Sequence, residues 1–301
     1  GYALRLKTRQ EKTQALQRNL DGVSVQLRTL EAKANMLREM ERDFEGFSKA
    51  VRLVMQEAAR GALSGVHGPV SKLIRVEDRY TTAIETALGA AMQNIIVDDE
   101  ASGKAAIQLL KRRDAGRATF LPLSTVTGRR LSEPSLANMP GYVGVASELA
   151  QTDGRYQGIL ENLLGRTVIA ETLDNAIAMA RKTGNRVRIV TLDGQVMNPG
   201  GSMTGGSSAK SAGVLSRANE LKRLEQEREK LLDTQSDYKK SLQQAQSQLA
   251  ETEYEIKTIG AELREAEDEV LRRTEEKKQV ERLLETVSQA EDTCRRELER
   301  F

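Results

Sequence analysis

The sequence predicts an α/β globular domain inserted between two long helices, and three observations carry that reading. Apolar residues recur every three then four positions from Tyr2 to about Met55, and again from Arg217 to Phe301. Between these stretches the chain is short-segmented and punctuated by Gly and Pro, as a globular domain is. Within that middle, one order of helix and strand signals occurs twice.

The first arm is a ladder of Tyr2, Leu6, Arg9, Thr13, Leu16, Leu20, Val23, Leu27, Leu30, Ala34, Leu37, Glu41, Phe44, Ser48, Val51 and Met55, with 12 of 16 rungs apolar. The second runs from Arg217 and Leu221 through Leu224, Gln235, Leu242, Thr252, Leu263, Val280 and Cys294 to Phe301, with 18 of 25 rungs apolar. A sustained 3.5-residue period places a narrow seam on one helix face and favours a left-handed coiled coil. Ordinary amphipathic surface helices rarely exceed about 20–25 residues and show a wider stripe. Coiled-coil arms are therefore expected over 1–60 and 215–301, with Ser216 as the N-cap of the second.

The globular part spans about 61–214 and repeats. Arg79-Tyr80, Ile84, Glu85, Leu88 and Gly89 are answered 76 positions later by Arg155-Tyr156, Leu160, Glu161, Leu164 and Gly165. An apolar strand follows in each half, Asn94–Val97 and Thr167–Ala170. An Ala-rich helix comes next, Asp98–Arg113 and Glu171–Lys182, and a strand closes each half, in 116–123 and 185–192. The pattern implies duplication about an approximate two-fold axis, with mixed sheets covered by helices. Half 1 is expected over 61–123, a linker over 124–140 and half 2 over 141–214.

Composition narrows the function classes. The chain has 301 residues, 39% of them hydrophobic and 30% charged, with a net charge of +2. No apolar run is long enough to span a membrane and no secretory signal precedes the first arm, so no membrane partner is expected. Cys294 is the only cysteine, sits on the second ladder and reads as a structural thiol in a reducing compartment. His67 is the only histidine and, beside Gly68-Pro69, reads as a turn or packing residue. Neither catalytic residues nor a metal site can be assembled from these types, so no enzyme is expected in this chain.

Two motifs remain. Gly200-Gly-Ser-Met-Thr-Gly-Gly206 resembles a phosphate loop only superficially, because Lys210-Ser211 is preceded by Ala209, with Thr204 where the first Gly should stand. Paired glycines suit a place where another backbone approaches closely, or a flexible linker. Lys111-Arg112-Arg113, with Arg117, is the densest basic cluster of the middle, and Arg129-Arg130 with Arg186 and Arg188 form smaller ones. Such a triplet is either a solvated helix end that complements the helix dipole or a set of phosphate contacts.

Gly65-Val-His-Gly-Pro-Val70, Gly116-Arg-Ala-Thr-Phe-Leu-Pro-Leu123 and Pro199-Gly-Gly-Ser-Met-Thr-Gly-Gly206, in this order between two arms, resemble the hinge of bacterial SMC (structural maintenance of chromosomes) proteins. The resemblance implies a hinge carried on an intramolecular antiparallel coiled coil, and a homodimer with Gly200, Gly201, Gly205 and Gly206 at its interface. It also implies non-specific DNA binding, favouring single strands, through Lys111, Arg112, Arg113 and Arg117. The family's ATPase head, which binds ATP and Mg, has no counterpart here, so no cofactor is expected in this fragment. For the full-length protein the resemblance implies kleisin and accessory subunits, a role in chromosome condensation and segregation, and a cytoplasmic, nucleoid-associated location. A structural coiled-coil spacer whose inserted domain binds a protein partner is the alternative. With Met55 facing about Leu221, antiparallel arms would pair residues whose numbers sum to roughly 276, leaving about 25 residues of the second arm overhanging.

Overall fold

The computed structural model describes residues 1–206 and 213–299, so the last rung, Phe301, and the Lys210-Ser211 pair lie outside the described residues. Two compact units are present: residues 29–228, and a distal unit of residues 1–28 with the described residues from Glu229 onward.

The first arm is α1 (Tyr2–Arg42). It stops there, short of the expected 60, and the reason is local. Phe44 and Gly46 take left-handed backbone, with φ of 51° and 90°. Gln93 then bridges the bend, accepting from the Ser48 amide at 2.8 Å. Ser48 caps α2 (Lys49–Ala59) by accepting from the Val51 amide. The ladder continues in number but changes partner. Val51, with Ala50 and Val54, is buried against Ile95, Val97, Ala106 and Leu110 of the globular core.

Half 1 continues with β1 (Val66–Pro69), α3 (Val70–Leu73), β2 (Ile74–Val76), α4 (Thr81–Leu88), β3 (Ile95–Val97), α5 (Glu100–Arg113) and β4 (Phe120–Pro122). A short α6 (Pro134–Ala137) lies in the connecting stretch. Half 2 is β5 (Tyr142–Val145), β6 (Ala150–Thr152), α7 (Gln157–Leu164), β7 (Thr167–Ala170), α8 (Leu173–Lys182) and β8 (Arg188–Thr191), then β9 (Val196–Met197) and β10 (Met203–Thr204).

The duplication is visible in the pairing. β1 runs antiparallel to β3 and β3 parallel to β4. Likewise β5 runs antiparallel to β7 and β7 parallel to β8. Both antiparallel pairs shift register at a glycine, Gly68 in one and Gly144 in the other. β2 and β6 pair with each other across the halves, with Arg75 opposite Gln151. Those two residues stand 76 apart, the offset of the repeat itself, so the pseudo-two-fold axis passes through this ladder.

Both central strands, β3 and β7, are buried on both faces and read as unbroken apolar runs. α4 and α7 fill the shared core with Ile84, Leu88, Leu160 and Leu164. Separate clusters cover the outer faces, one under α2 and α5 and one under α6 and α8. Arg188 of half 2 donates to the Ala87 carbonyl at the end of α4, 2.8 Å away.

The second arm is α9 (Val214–Leu298). Its cap comes from elsewhere in the chain: Glu85 of α4 accepts from the Leu215 and Ser216 amides at 2.8 and 3.1 Å. Ser216, the expected cap, instead donates its hydroxyl to that carboxylate. A Cβ on Gly213 would stand 2.1 Å from Glu85, so the approach needs glycine.

α1 and α9 pair antiparallel in each unit. In the globular unit Glu31 meets Arg228 and Arg38 meets Glu225. In the distal unit Ser24 meets Gln235 at 3.0 Å and Arg5 meets Glu255. Paired numbers thus sum to about 260 rather than 276, a shift caused by the early end of α1. Polar rungs meet polar partners: Arg9 of α1 donates to Thr252, which is wholly buried. From residue 261 onward every described α9 residue is exposed, so the unpaired end is longer than the expected overhang.

Two outcomes follow from these contacts. Glu85→Ala should lower unfolding stability by about 0.5–2 kcal/mol, the range for losing an N-cap, and speed hydrogen exchange at Leu215 and Ser216; unchanged protection there would exclude the cap. Replacing Arg9 and Thr252 together by Leu should raise the arm's melting temperature while broadening the set of cysteine pairs that cross-link between α1 and α9, because a polar seam pair specifies register at some cost in stability. A single cross-linking register in that variant would show that alignment is set elsewhere.

Candidate dimer edge and nucleic-acid interface

The glycine-rich run forms the turn and far edge of a hairpin. β10 pairs with β9, Met203 opposite Met197, and is the terminal strand of the order β10-β9-β8-β7-β5. Gly200 and Gly201 have φ of 88° and 91°, which the turn after Asn198-Pro199 requires. The Gly200 amide donates to the Asn185 carbonyl at 2.8 Å, and the Gly201 amide to that of Asn198 at 3.0 Å. Past the strand, Gln195 accepts from the Gly206 amide and donates to its carbonyl, and a Cβ on Gly205 would strike the same side chain. The four glycines therefore satisfy demands inside one subunit. What they frame is the exposed edge: Met203 is 54% exposed, and Thr204 is exposed beside it.

Half 1 has an edge too. Its three-stranded sheet, β1-β3-β4, ends at β4, the strand equivalent to β8. Half 2 adds β9 and β10 beyond β8, whereas among the described residues no strand pairs beyond β4. A terminal strand presents backbone N–H and C=O groups without ladder partners, a template for another strand.

The basic triplet lies at the C-terminal end of α5, where Asp114 closes the helix in left-handed conformation with φ of 46°. Lys111, Arg112, Arg113 and Arg117 are all exposed. The structure separates them by surroundings. Arg113 lines a cleft of about 560 Å³ with Arg42, Lys49, Arg52 and Gln56, between the end of α1, α2 and α5. Lys111, Arg112 and Arg117 do not line it.

Charge in the cleft is unbalanced. Asp43 is engaged by Arg42, whose guanidinium it holds above its ordinary pKa through a hydrogen bond at 3.1 Å. Among the described residues, no carboxylate lies within ion-pair distance of Lys49, Arg52 or Arg113. Three exposed cations without counter-ions around a concave surface focus positive potential there. Arg42, Lys49 and Arg52 do not stand out in the sequence, because the helical spacing of the first arm continues through them. The signal that could have found them was the i,i+3 spacing of Lys49 and Arg52, together with the Gly46 break just before them.

Of the remaining singular residues His67 is structural, whereas Cys294, expected as a structural thiol on the seam, lies where every described α9 residue is exposed. His67 Nε2 is 2.7 Å from Asp98, and its Nδ1 is 3.1 Å from the Tyr156 hydroxyl, which ties half 1 to half 2.

Comparison with known proteins agrees with this architecture. A family model described as the SMC proteins flexible hinge domain matches residues 63–180. The chromosome partition protein Smc of Bacillus subtilis (strain 168) is 42% identical over 232 residues, 76% of this chain and 18% of that protein. Its counterpart in Desulfitobacterium hafniense (strain Y51) is 38% identical over 221 residues, 72% of this chain and again 18% of the relative. The chain thus spans about a fifth of the length of the curated relatives it matches. An asymmetric dimer of the Geobacillus stearothermophilus SMC hinge domain, solved by crystallography, is similar with a TM-score of 0.73 and 38% identity, over 81% of this chain and 99% of that one. With its duplicated α/β halves and paired arms, the chain belongs to the SMC hinge family.

Proposed function

We propose that this chain is the dimerisation and DNA-interaction module of a chromosome partition protein, acting in chromosome condensation and segregation. The observation that carries the DNA reading is the cleft of Lys49, Arg52 and Arg113, three cations that no described carboxylate neutralises. It lies where α1 ends against half 1, and Lys111, Arg112 and Arg117 extend the basic surface along the same end of α5. Contacts of this kind go to phosphates, so binding is non-specific and salt-dependent. A single strand is the favoured form, as the family resemblance implies. ATP and Mg belong to a head outside this chain, as do contacts to kleisin and accessory subunits, and the whole protein works in the cytoplasm at the nucleoid. No described helix is long and apolar enough to cross a membrane.

Dimerisation uses the two open edges. β10 of one subunit adds to β4 of a twin, and the reciprocal pair forms by symmetry, supplying half 1 with the strand that half 2 already has. The isologous arrangement closes after two subunits. The glycines at 200, 201, 205 and 206 shape the hairpin that presents β10. Their replacement would strain the subunit itself, so Met203 is the cleaner probe.

Met203→Glu should shift sedimentation from dimer to monomer with little change in melting temperature, because the side chain is exposed and the charge would be buried at the edge. A variant as dimeric as its parent would remove the β10 edge from the interface. For DNA, changing Lys49, Arg52 and Arg113 together to Glu should weaken binding of single- and double-stranded oligonucleotides in fluorescence anisotropy. It should also flatten the slope of log K against log salt by about 2–3, at roughly 0.7–0.9 per lost phosphate contact. If affinity and slope are unchanged, the cleft is not the DNA site; if the parent binds no DNA at any salt, the spacer that carries a protein partner becomes the better reading.

A further inference from the structure

A second cleft, distinct from the basic one, opens where both arms meet half 1. It has a volume of about 550 Å³, within the range of about 300–1,000 Å³ typical of small-molecule sites. Its lining is unusual for a helix junction: Met36 and Met40 of α1, Met92 from the segment after α4, and Leu37 and Val214 beside them. Methionine side chains are polarisable and adaptable, and suit apolar guests of varied shape.

The polar residues in this lining are Glu45, Gln93 and Arg217, and of these Arg217, the first rung of the second ladder, is the buried one, only 9% exposed. Its Nη2 donates to the Glu45 carbonyl at 2.8 Å, and its Nε is buried with no partner. No described carboxylate lies within ion-pair distance of its guanidinium. Lys72, the other cation close by, donates to the Glu41 carbonyl at 2.7 Å and lies 4.1 Å over the Phe44 ring. Burial holds its pKa below the ordinary lysine value, against the opposing pull of the Glu41 carboxylate, and Arg217 adds a smaller push downward. Lys72 thus has the Glu41 carboxylate to offset its charge, whereas the guanidinium of Arg217 meets a backbone carbonyl and makes no ion pair among the described residues. A buried charge without a counter-ion is costly, and a bound anion would relieve that cost.

We propose that this cleft binds a small apolar carboxylate, its acid group on the Arg217 guanidinium and its hydrocarbon among Met36, Met40 and Met92. An occupant would touch α1, the α9 root and half 1 together, and so brace the point from which both arms leave. Any organic acid with a short alkyl or aryl body meets the chemistry. Decanoate is a suitable probe and decanol its uncharged counterpart.

The test is a titration of the full chain labelled with 13C in its methionine methyls. Decanoate should give saturable shifts at Met36, Met40 and Met92 but not at Met203, and decanol should bind at least about tenfold more weakly, as a lost charge-assisted hydrogen bond requires. Arg217→Gln should lower decanoate affinity by a similar factor while leaving decanol unaffected. Equal binding of acid and alcohol by the parent protein would overturn the proposal even if the variant failed to fold. So would shifts confined to other methionines, or no shift into the millimolar range, which would leave Arg217 only as the group that caps the end of α1.

Discussion

Glu85 reaching across to the first turn of α9 is the contact on which the rest of the arrangement turns. An 85-residue helix can be placed only by its ends and its seam, and this carboxylate fixes one end to half 1. Asn219 adds to it one turn further on, donating to the Val76 carbonyl and lying 3.1 Å from the Thr81 hydroxyl. The end of α1 is held to the same half by Lys72 and the bend after it by Gln93, while Arg217 ties that bend to α9. Once both helix ends are anchored there, the alignment of the arms is no longer free. Within the distal unit the seam partners Ser24 with Gln235 and Arg9 with Thr252 keep one spacing of their own.

Much of this was legible from residue types alone. The Arg79-Tyr80 and Arg155-Tyr156 repeats mark equivalent positions in the two halves, and in each pair the arginine stacks on its neighbouring tyrosine, 4.3 and 4.6 Å from the ring centre. β3 and β7 were plain because strands covered on both faces need unbroken apolar runs. The end of the first arm was not plain, because Phe44, Val51 and Met55 keep the helical spacing after the helix has turned. Apolar periodicity records that a face is buried and is silent about what buries it. Gly46 was the one local cue, and a single glycine inside a helical pattern is a weak one. The cap of α9 was hidden for a different reason. Its donor and acceptor are 130 residues apart, and Ser216 offered a local answer that tertiary contact displaced.

The basic surface shows the same limit. A run such as Lys111-Arg112-Arg113 stands out because it is contiguous, whereas a cleft assembles cations from separate elements. Only Arg113 of that run meets Arg42, Lys49 and Arg52. Contiguity finds charge density along the chain, and concavity, which concentrates the field, comes from the fold.

Duplication has left the halves with unequal mechanical positions. The arms are fastened to half 1 by Lys72, Val76, Thr81, Glu85 and Gln93, none of which belongs to half 2. The polar contacts of both helix roots therefore go to one half of the hinge, while Leu215 of α9 is buried in the apolar core that the halves share. The halves themselves are joined through that core, the His67 and Arg188 contacts, and a ladder three residues long between β2 and β6. That ribbon is the one strand pairing among the described residues that joins the halves, so their backbone register relative to each other rests on three residue pairs.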